Sequence, residues 1–156
     1  MSKLASQFDR IDRSLTAYMA RYGITLLRLS VGIIFLWFGF LKFFPGLSPA
    51  EDLATRTTAM ITFSMVPART ALILLAAWEC LVGLGLISGI CLRATLLLLW
   101  LQMVGTIAPV FFFPREVFSY FPYAPTLEGQ YIIKNLVLAS AGIVVGATVR
   151  GGRLRS

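Results

Sequence analysis

Four long apolar stretches constrain the fold of this chain more than any other feature. They lie near residues 24–44, 68–88, 92–113 and 131–149, and a hydrocarbon core is crossed by about 20 helical residues. An α-helix satisfies all of its own backbone hydrogen bonds, as the interior of a bilayer requires. The sequence therefore predicts an all-α membrane protein whose four transmembrane helices form a bundle.

The composition supports the same fold class. Hydrophobic residues make up 58% of the 156 residues and charged residues only 13%, against about 45–50% and about 25% in soluble domains. A water-soluble domain of this size has too much surface to hide so many apolar side chains. We therefore expect one domain whose surface is mostly in contact with membrane lipids.

Turn-forming residues separate the predicted spans. Proline and glycine lie in all three connections, at Pro45, Gly46, Pro49, Pro67, Gly89, Pro114, Pro122 and Pro125. Thr126 is a predicted N-cap of the last helix, and Glu128 in its first turn is favoured by the helix dipole.

Residues 1–22 form a predicted amphipathic segment. Its apolar residues recur at alternating steps of four and three, at Leu4, Phe8, Ile11, Leu15, Tyr18 and Tyr22. This spacing puts them on one face of a helix. We expect this helix to lie along the cytoplasmic membrane surface, with Arg10, Arg13 and Arg21 near anionic headgroups; a frayed tail is the alternative. The apolar run that follows is too long for a signal peptide.

The distribution of Lys and Arg predicts the orientation. One side of the membrane would hold Lys3, Arg10, Arg13, Arg21, Arg93, Arg150, Arg153 and Arg155, and the other Lys42, Arg56, Arg69, Arg115 and Lys134. The more basic side is expected to be cytoplasmic. Both termini, including a basic tail at 150–156, are therefore predicted to be cytoplasmic. Because the excess charge of +7 gathers near the chain ends, we expect no nucleic-acid partner.

Three charged residues lie within the first two spans. On a helical wheel Arg28 and Lys42 share a face with Gly32 and Gly39, and glycines allow a neighbouring helix to approach closely. Glu79 lies near the middle of the second span. Buried charges in membranes normally pair with one another, and we expect Arg28, with its planar guanidinium, to be the first choice of partner for Glu79.

The third and fourth spans each offer an amide. Gln102 and Asn135 are candidates for the same buried polar network, with Lys134 on its flank. Simpler roles are the alternatives: Lys42 and Lys134 could extend to the headgroups, and the two amides could serve only to join helices. Gly142 and Gly146 fit the close-packing motif of membrane helices.

Several kinds of chemistry are not supported by this sequence. It has no histidine, which is the commonest metal ligand and the usual proton carrier near neutral pH. Cys80 and Cys91 would lie about 16 Å apart along a helix, too far for a disulfide. We find no pairing of a nucleophile with a base and no metal-ligand cluster, and we expect no catalytic residues and no metal.

The polar residues and their neighbours resemble a known family. Leu26-Leu-Arg28-Leu followed by Gly39-Phe-Leu-Lys42, and the segment Trp78-Glu79-Cys80-Leu-Val-Gly83-Leu-Gly85, are similar to the first two helices of DoxX-like membrane proteins. The closing segment from Pro125 to Asn135 resembles the YkgB-like branch, which tends to have Asp where this chain has Asn135.

The resemblance implies a small protein of the bacterial inner membrane with a role in redox or oxidative-stress physiology. We expect a non-catalytic or accessory component that binds a lipophilic ligand such as quinone, or a protein subunit, in the polar interior of the bundle. A homo-oligomer is also possible. The alternatives are a proton-coupled or small-solute transporter that uses Glu79, and a purely structural assembly subunit.

Overall fold

The computed structural model describes residues 3–48 and 51–152, and these residues are mostly helical. The helices are α1 (Lys3–Leu41), α2 (Glu51–Ile61), α3 (Ala68–Ser88), α4 (Leu92–Phe112), α5 (Pro114–Val117) and α6 (Leu127–Thr148). Two short strands, β1 (Phe118–Tyr120) and β2 (Ala124–Pro125), pair in antiparallel fashion before α6. Four helices, α1, α3, α4 and α6, are long and apolar enough to cross a membrane. The prediction of an all-α membrane protein is confirmed.

The four long helices form a closed ring. Helix α1 packs against α3, α3 against α4, α4 against α6, and α6 against α1. All four helices contribute buried side chains to one core, formed by Val31, Phe35, Val82, Leu86, Leu96, Leu99, Ala141 and Val145. Other large apolar residues, such as Leu74 and Leu81, are exposed on the outside of the ring. Such a surface requires lipid around it.

Glycines set the contact between α1 and α3. A Cβ atom on Gly83 would lie 2.5 Å from the Leu36 nitrogen, and one on Gly39 would lie 2.7 Å from the Glu79 Cβ. A Cβ atom on Gly32 would likewise lie only 3.0 Å from the carbonyl oxygen of Gly83. The face of α1 that carries Gly32 and Gly39 therefore points into the bundle, and at Gly83 the two backbones are in direct contact.

The N-cap of α6 and its two closely packed glycines agree with the sequence-based predictions. The Thr126 side chain accepts a hydrogen bond from the Gly129 N–H, which makes it the N-cap. Gly142 packs against Leu99 and Gly146 against Leu96 of α4. The paired glycines therefore accept leucine side chains from a neighbouring helix.

Two features differ from the sequence-based expectation. The amphipathic segment is helical, but it continues into the first span as one helix from Lys3 to Leu41, with no break near residue 22. Its position along the membrane surface stays a prediction. The connection between the first two spans contains helix α2, which packs against α3 and α4. Apolar periodicity missed α2 because Leu53 and Thr57 are its buried residues. Residues 153–156 of the basic tail lie outside the described residues.

The α1–α3 contact generates a prediction about Gly83. Gly83→Ala should lower the free energy of unfolding by about 1–3 kcal/mol, because the added methyl group must push the two helices apart. The measurement is unfolding of the detergent-solubilised protein. Gly105→Ala in α4 is the matched control, because a Cβ there meets nothing within 4 Å, and it should be neutral or stabilising. Equal effects of the two substitutions would contradict the close contact.

Candidate functional site

Glu79 is the centre of a buried polar cluster. It lies in the middle of α3, on the face that also buries Leu72, Ala76, Gly83 and Leu86. Only 8% of the residue is exposed. The inward face of α3 therefore places a carboxylate inside the bundle, where it needs hydrogen-bond partners.

Lys42 is the partner that carries the positive charge. Its Nζ lies 2.6 Å from Glu79 Oε2, and the two side chains are 12% and 11% exposed. Helix α1 ends at Leu41, beside the point where Gly39 contacts Glu79 and Cys80. Lys42 therefore turns inward to the carboxylate instead of extending to the headgroups. The expectation that Arg28 would be the first choice is wrong.

Arg28 instead binds the C-terminal end of α3. Its Nη1 donates to the carbonyl oxygens of Leu86, at 2.6 Å, and Ile87, at 3.4 Å. The last carbonyls of a helix have no intrahelical partner, and the helix dipole favours a cation there. Gly89 follows with a φ of 75°, and a Cβ at this residue would lie 2.6 Å from Arg28 Nη1. Arg28 thus caps α3, about two helix turns away from Glu79.

Gln102 completes the cluster from α4. Its Nε2 donates to Glu79 Oε1 at 2.8 Å, so both carboxylate oxygens are hydrogen-bonded. Gln102 itself is 7% exposed, and its Oε1 atom is buried without a hydrogen-bond partner. A buried acceptor left unpaired is costly and uncommon. The cluster therefore has one free acceptor beside an ion pair.

Lys134 and Asn135 do not join this cluster. The Lys134 side chain is exposed on α6 and lies over the Tyr131 ring, with Nζ 5.7 Å from its centroid. Asn135 is half-buried, and among the described residues its side chain forms no hydrogen bond. Their expected place in the polar network is therefore not observed. Helical periodicity predicted that Lys134 and Asn135 belong to an inward polar stripe of α6, but the buried face of that helix carries Gly129, Ala141, Gly142 and Val145.

A second charged cluster joins the connections between the spans, and sequence reasoning missed it. Arg56 of α2 donates to both carboxylate oxygens of Glu116 in α5, and the distance from Nη1 to Oε1 is 2.7 Å. Its Nη2 also lies 2.9 Å from Asp52 Oδ2. The hydrogen bonds from Arg56 lower the pKa of Glu116. The Arg56 guanidinium also lies 5.0 Å from the Phe113 ring centroid. The four-residue spacing of Asp52 and Arg56 could have indicated their contact, whereas nothing local links Arg56 to Glu116.

The described residues contain no group of three or more Cys, Asp or Glu that could hold a metal ion. Cys80 and Cys91 are both free thiols. The arrangement around Glu79 can therefore donate and accept hydrogen bonds and hold one pair of opposite charges.

Comparison with known protein families shows to which family this chain belongs. A family profile named DoxX matches residues 23–114, more than half of the sequence. The protein belongs to the DoxX family. Among curated proteins and solved structures no match was found. The DoxX match contains Arg28, Lys42, Glu79 and Gln102, and it ends before Lys134 and Asn135. It begins where the amphipathic segment ends.

The geometry generates a stability prediction. Glu79→Ala should lower the free energy of unfolding by about 3–5 kcal/mol, because it leaves the buried Lys42 ammonium unpaired. The double variant Glu79→Met with Lys42→Met should lose less, because no charge then stays buried. The measurement is unfolding in detergent.

The matched control for this prediction is Glu79→Met with Arg28→Met. This variant removes a cation that does not touch Glu79, and it also leaves the α3 carbonyls unbonded. It should therefore be less stable than the Lys42 double variant. If both double variants are equally stable, Lys42 is not the specific partner of Glu79.

Proposed function

We propose that this DoxX-family protein binds a lipophilic ligand, such as quinone, or a partner subunit at the cluster of Lys42, Glu79 and Gln102. It would act as a non-catalytic or accessory membrane component in redox or oxidative-stress physiology. The observation that supports the proposal most is the buried, unpaired Oε1 atom of Gln102 beside the ion pair. A hydrogen-bond donor from a ligand would satisfy this atom.

The chemistry of the cluster suits a ring that carries oxygen atoms. Lys42 Nζ has three donors, of which one is used by Glu79 and another makes a long contact of 3.4 Å to the Phe38 carbonyl. A ligand carbonyl could accept from Lys42, and a ligand hydroxyl could donate to Gln102. The apolar surface of the bundle would suit a lipophilic tail. Arg28 would support the site by holding α1 against α3.

A proton-coupled transporter is the second candidate, and the same free acceptor supports it. If Glu79 gained a proton, its hydroxyl would need an acceptor. The Gln102 amide could turn so that Oε1 accepted this hydrogen bond, since the two ends of an amide have nearly the same shape. A cycle of gain and loss of this proton would then change the hydrogen bonds between α3 and α4.

The YkgB-like branch is a further part of the proposal. Its support is the segment from Pro125 to Asn135, which lies beyond the DoxX match. Asn135 stands where that branch tends to have Asp, so this chain lacks the carboxylate that the branch would place there.

Native mass spectrometry of gently solubilised protein tests the ligand proposal. The wild type should carry a quinone or a subunit, and Gln102→Leu should carry at least ten-fold less. Asn135→Leu, outside the cluster, is the matched control and should keep it. Proton uptake by liposomes without any bound mass would support transport through Glu79. A protein with neither property would be a structural assembly subunit, and the ligand proposal would be wrong.

We also propose that the protein resides in the bacterial inner membrane with both termini in the cytoplasm. Leu47 lies in the connection after α1 and is 59% exposed, whereas Cys91 is an exposed thiol in the turn between α3 and α4. In intact cells an impermeant maleimide should label Leu47→Cys and leave the natural Cys91 unlabelled until the membrane is opened. The reverse pattern would invert the orientation.

A further inference from the structure

We propose that the N-terminal half of α1 forms a parallel coiled coil with the same segment of a second copy of this chain. The evidence begins with the length of the helix. Its 39 residues contain no proline and no residue with a positive φ, so it measures about 58 Å, against a hydrocarbon core of about 30 Å. Sharp kinks arise at proline, at small-residue pairs or at bulges.

Arg28 marks where α1 leaves the bundle. This residue binds the last turn of α3, so the segment from Lys3 to Leu27 extends about 36 Å past that level. An unbroken helix that crosses the bilayer carries its N-terminal half away from the membrane surface, so the coiled coil is an alternative to the surface position that the sequence predicts. Lipid therefore covers the spanning half of α1 but not the apolar face of its N-terminal half.

That face is a narrow apolar seam. Phe8, Ile11, Leu15 and Tyr18 are 75%, 66%, 56% and 63% exposed. Their alternating steps of three and four are the 3.5-residue repeat of a coiled coil, with Phe8 and Leu15 at a positions and Ile11 and Tyr18 at d positions. A helix that lies on a membrane usually has a wider apolar face and a strongly basic polar face. Here Asp9 and Asp12 offset two of the three arginines of residues 7–22.

The seam has a shallow recess where a side chain of a second copy would insert. In a parallel coiled coil each a-position side chain enters a hole formed by four residues of the facing helix. For Leu15 those four residues are Ile11, Ser14, Leu15 and Tyr18 of the other copy. The structure has a groove lined by these four residues and Arg10.

Membrane orientation agrees with the parallel arrangement. Across a parallel pair, each e-position residue meets the g-position residue of the preceding heptad of the partner. Asp12 at an e position therefore meets the uncharged Gln7, and no like charges oppose each other across the seam. Copies inserted in one membrane share one orientation, which makes their α1 helices parallel.

Cysteine cross-linking in native membranes tests this interface. In a Cys91→Ser background, oxidation of Leu15→Cys should give at least ten-fold more covalent dimer than oxidation of Thr16→Cys, which lies one residue further and faces away from the seam. Ile11→Asp should reduce the Leu15→Cys dimer at least ten-fold. Ala20→Asp, on the opposite face, is the matched control and should leave it unchanged.

Two results would overturn the proposal. One is equal cross-linking of Leu15→Cys and Thr16→Cys, or none of either, in variants that unfold at the wild-type temperature. The other is a spin label at Leu15 that reports contact with lipid, which would show that the membrane surface covers the seam. Neither result depends on whether the Glu79 cluster binds a ligand.

Discussion

The contact between Lys42 and Glu79 is the interaction on which the interior of this protein depends. A lone carboxylate in the middle of a membrane helix costs about 2.5–3.5 kcal/mol on insertion scales, so Glu79 requires a partner. The 2.6 Å contact with Lys42 is possible because Gly39 lets α1 approach α3 at the level of Glu79. The glycines are therefore as necessary to the ion pair as the charges themselves.

Two cations on one face of α1 have different roles because they lie at different depths. Lys42 follows the end of α1 and reaches a side chain in the middle of α3, whereas Arg28 reaches backbone carbonyls at the end of α3. Each cation removes a different electrostatic cost, an unpaired carboxylate in one case and unbonded carbonyls in the other. Together they hold α1 and α3 in one axial register.

Hydropathy and helical periodicity predicted the four spans, the inward face of α1 and the position of Glu79 in the middle of its helix. They could not tell which cation meets Glu79, because that depends on the axial register between two helices. A helical wheel gives the direction of a side chain around its own helix, but it does not give the height of that side chain relative to residues of a neighbouring helix. The contact of Arg56 with Glu116 was missed for a related reason, because it joins residues 60 positions apart in the sequence. Helix α2 was missed because its buried residues, Leu53 and Thr57, give no apolar periodicity. Lys134 and Asn135 were placed inward from a polar stripe that the packing of α6 does not bury.

The two faces of α1 can be occupied at the same time. At 100° per residue, the seam of Phe8, Ile11 and Leu15 is turned by about 110° from the face of Arg28, Gly32 and Gly39 that contacts α3. Extended into the membrane, the seam runs onto Leu26, Ile33 and Phe40, which are all exposed. A second copy on this side would therefore leave the Lys42–Glu79 contact intact. Because one unbroken helix carries both features, the register that the ion pair imposes on α1 also fixes the direction in which the seam faces.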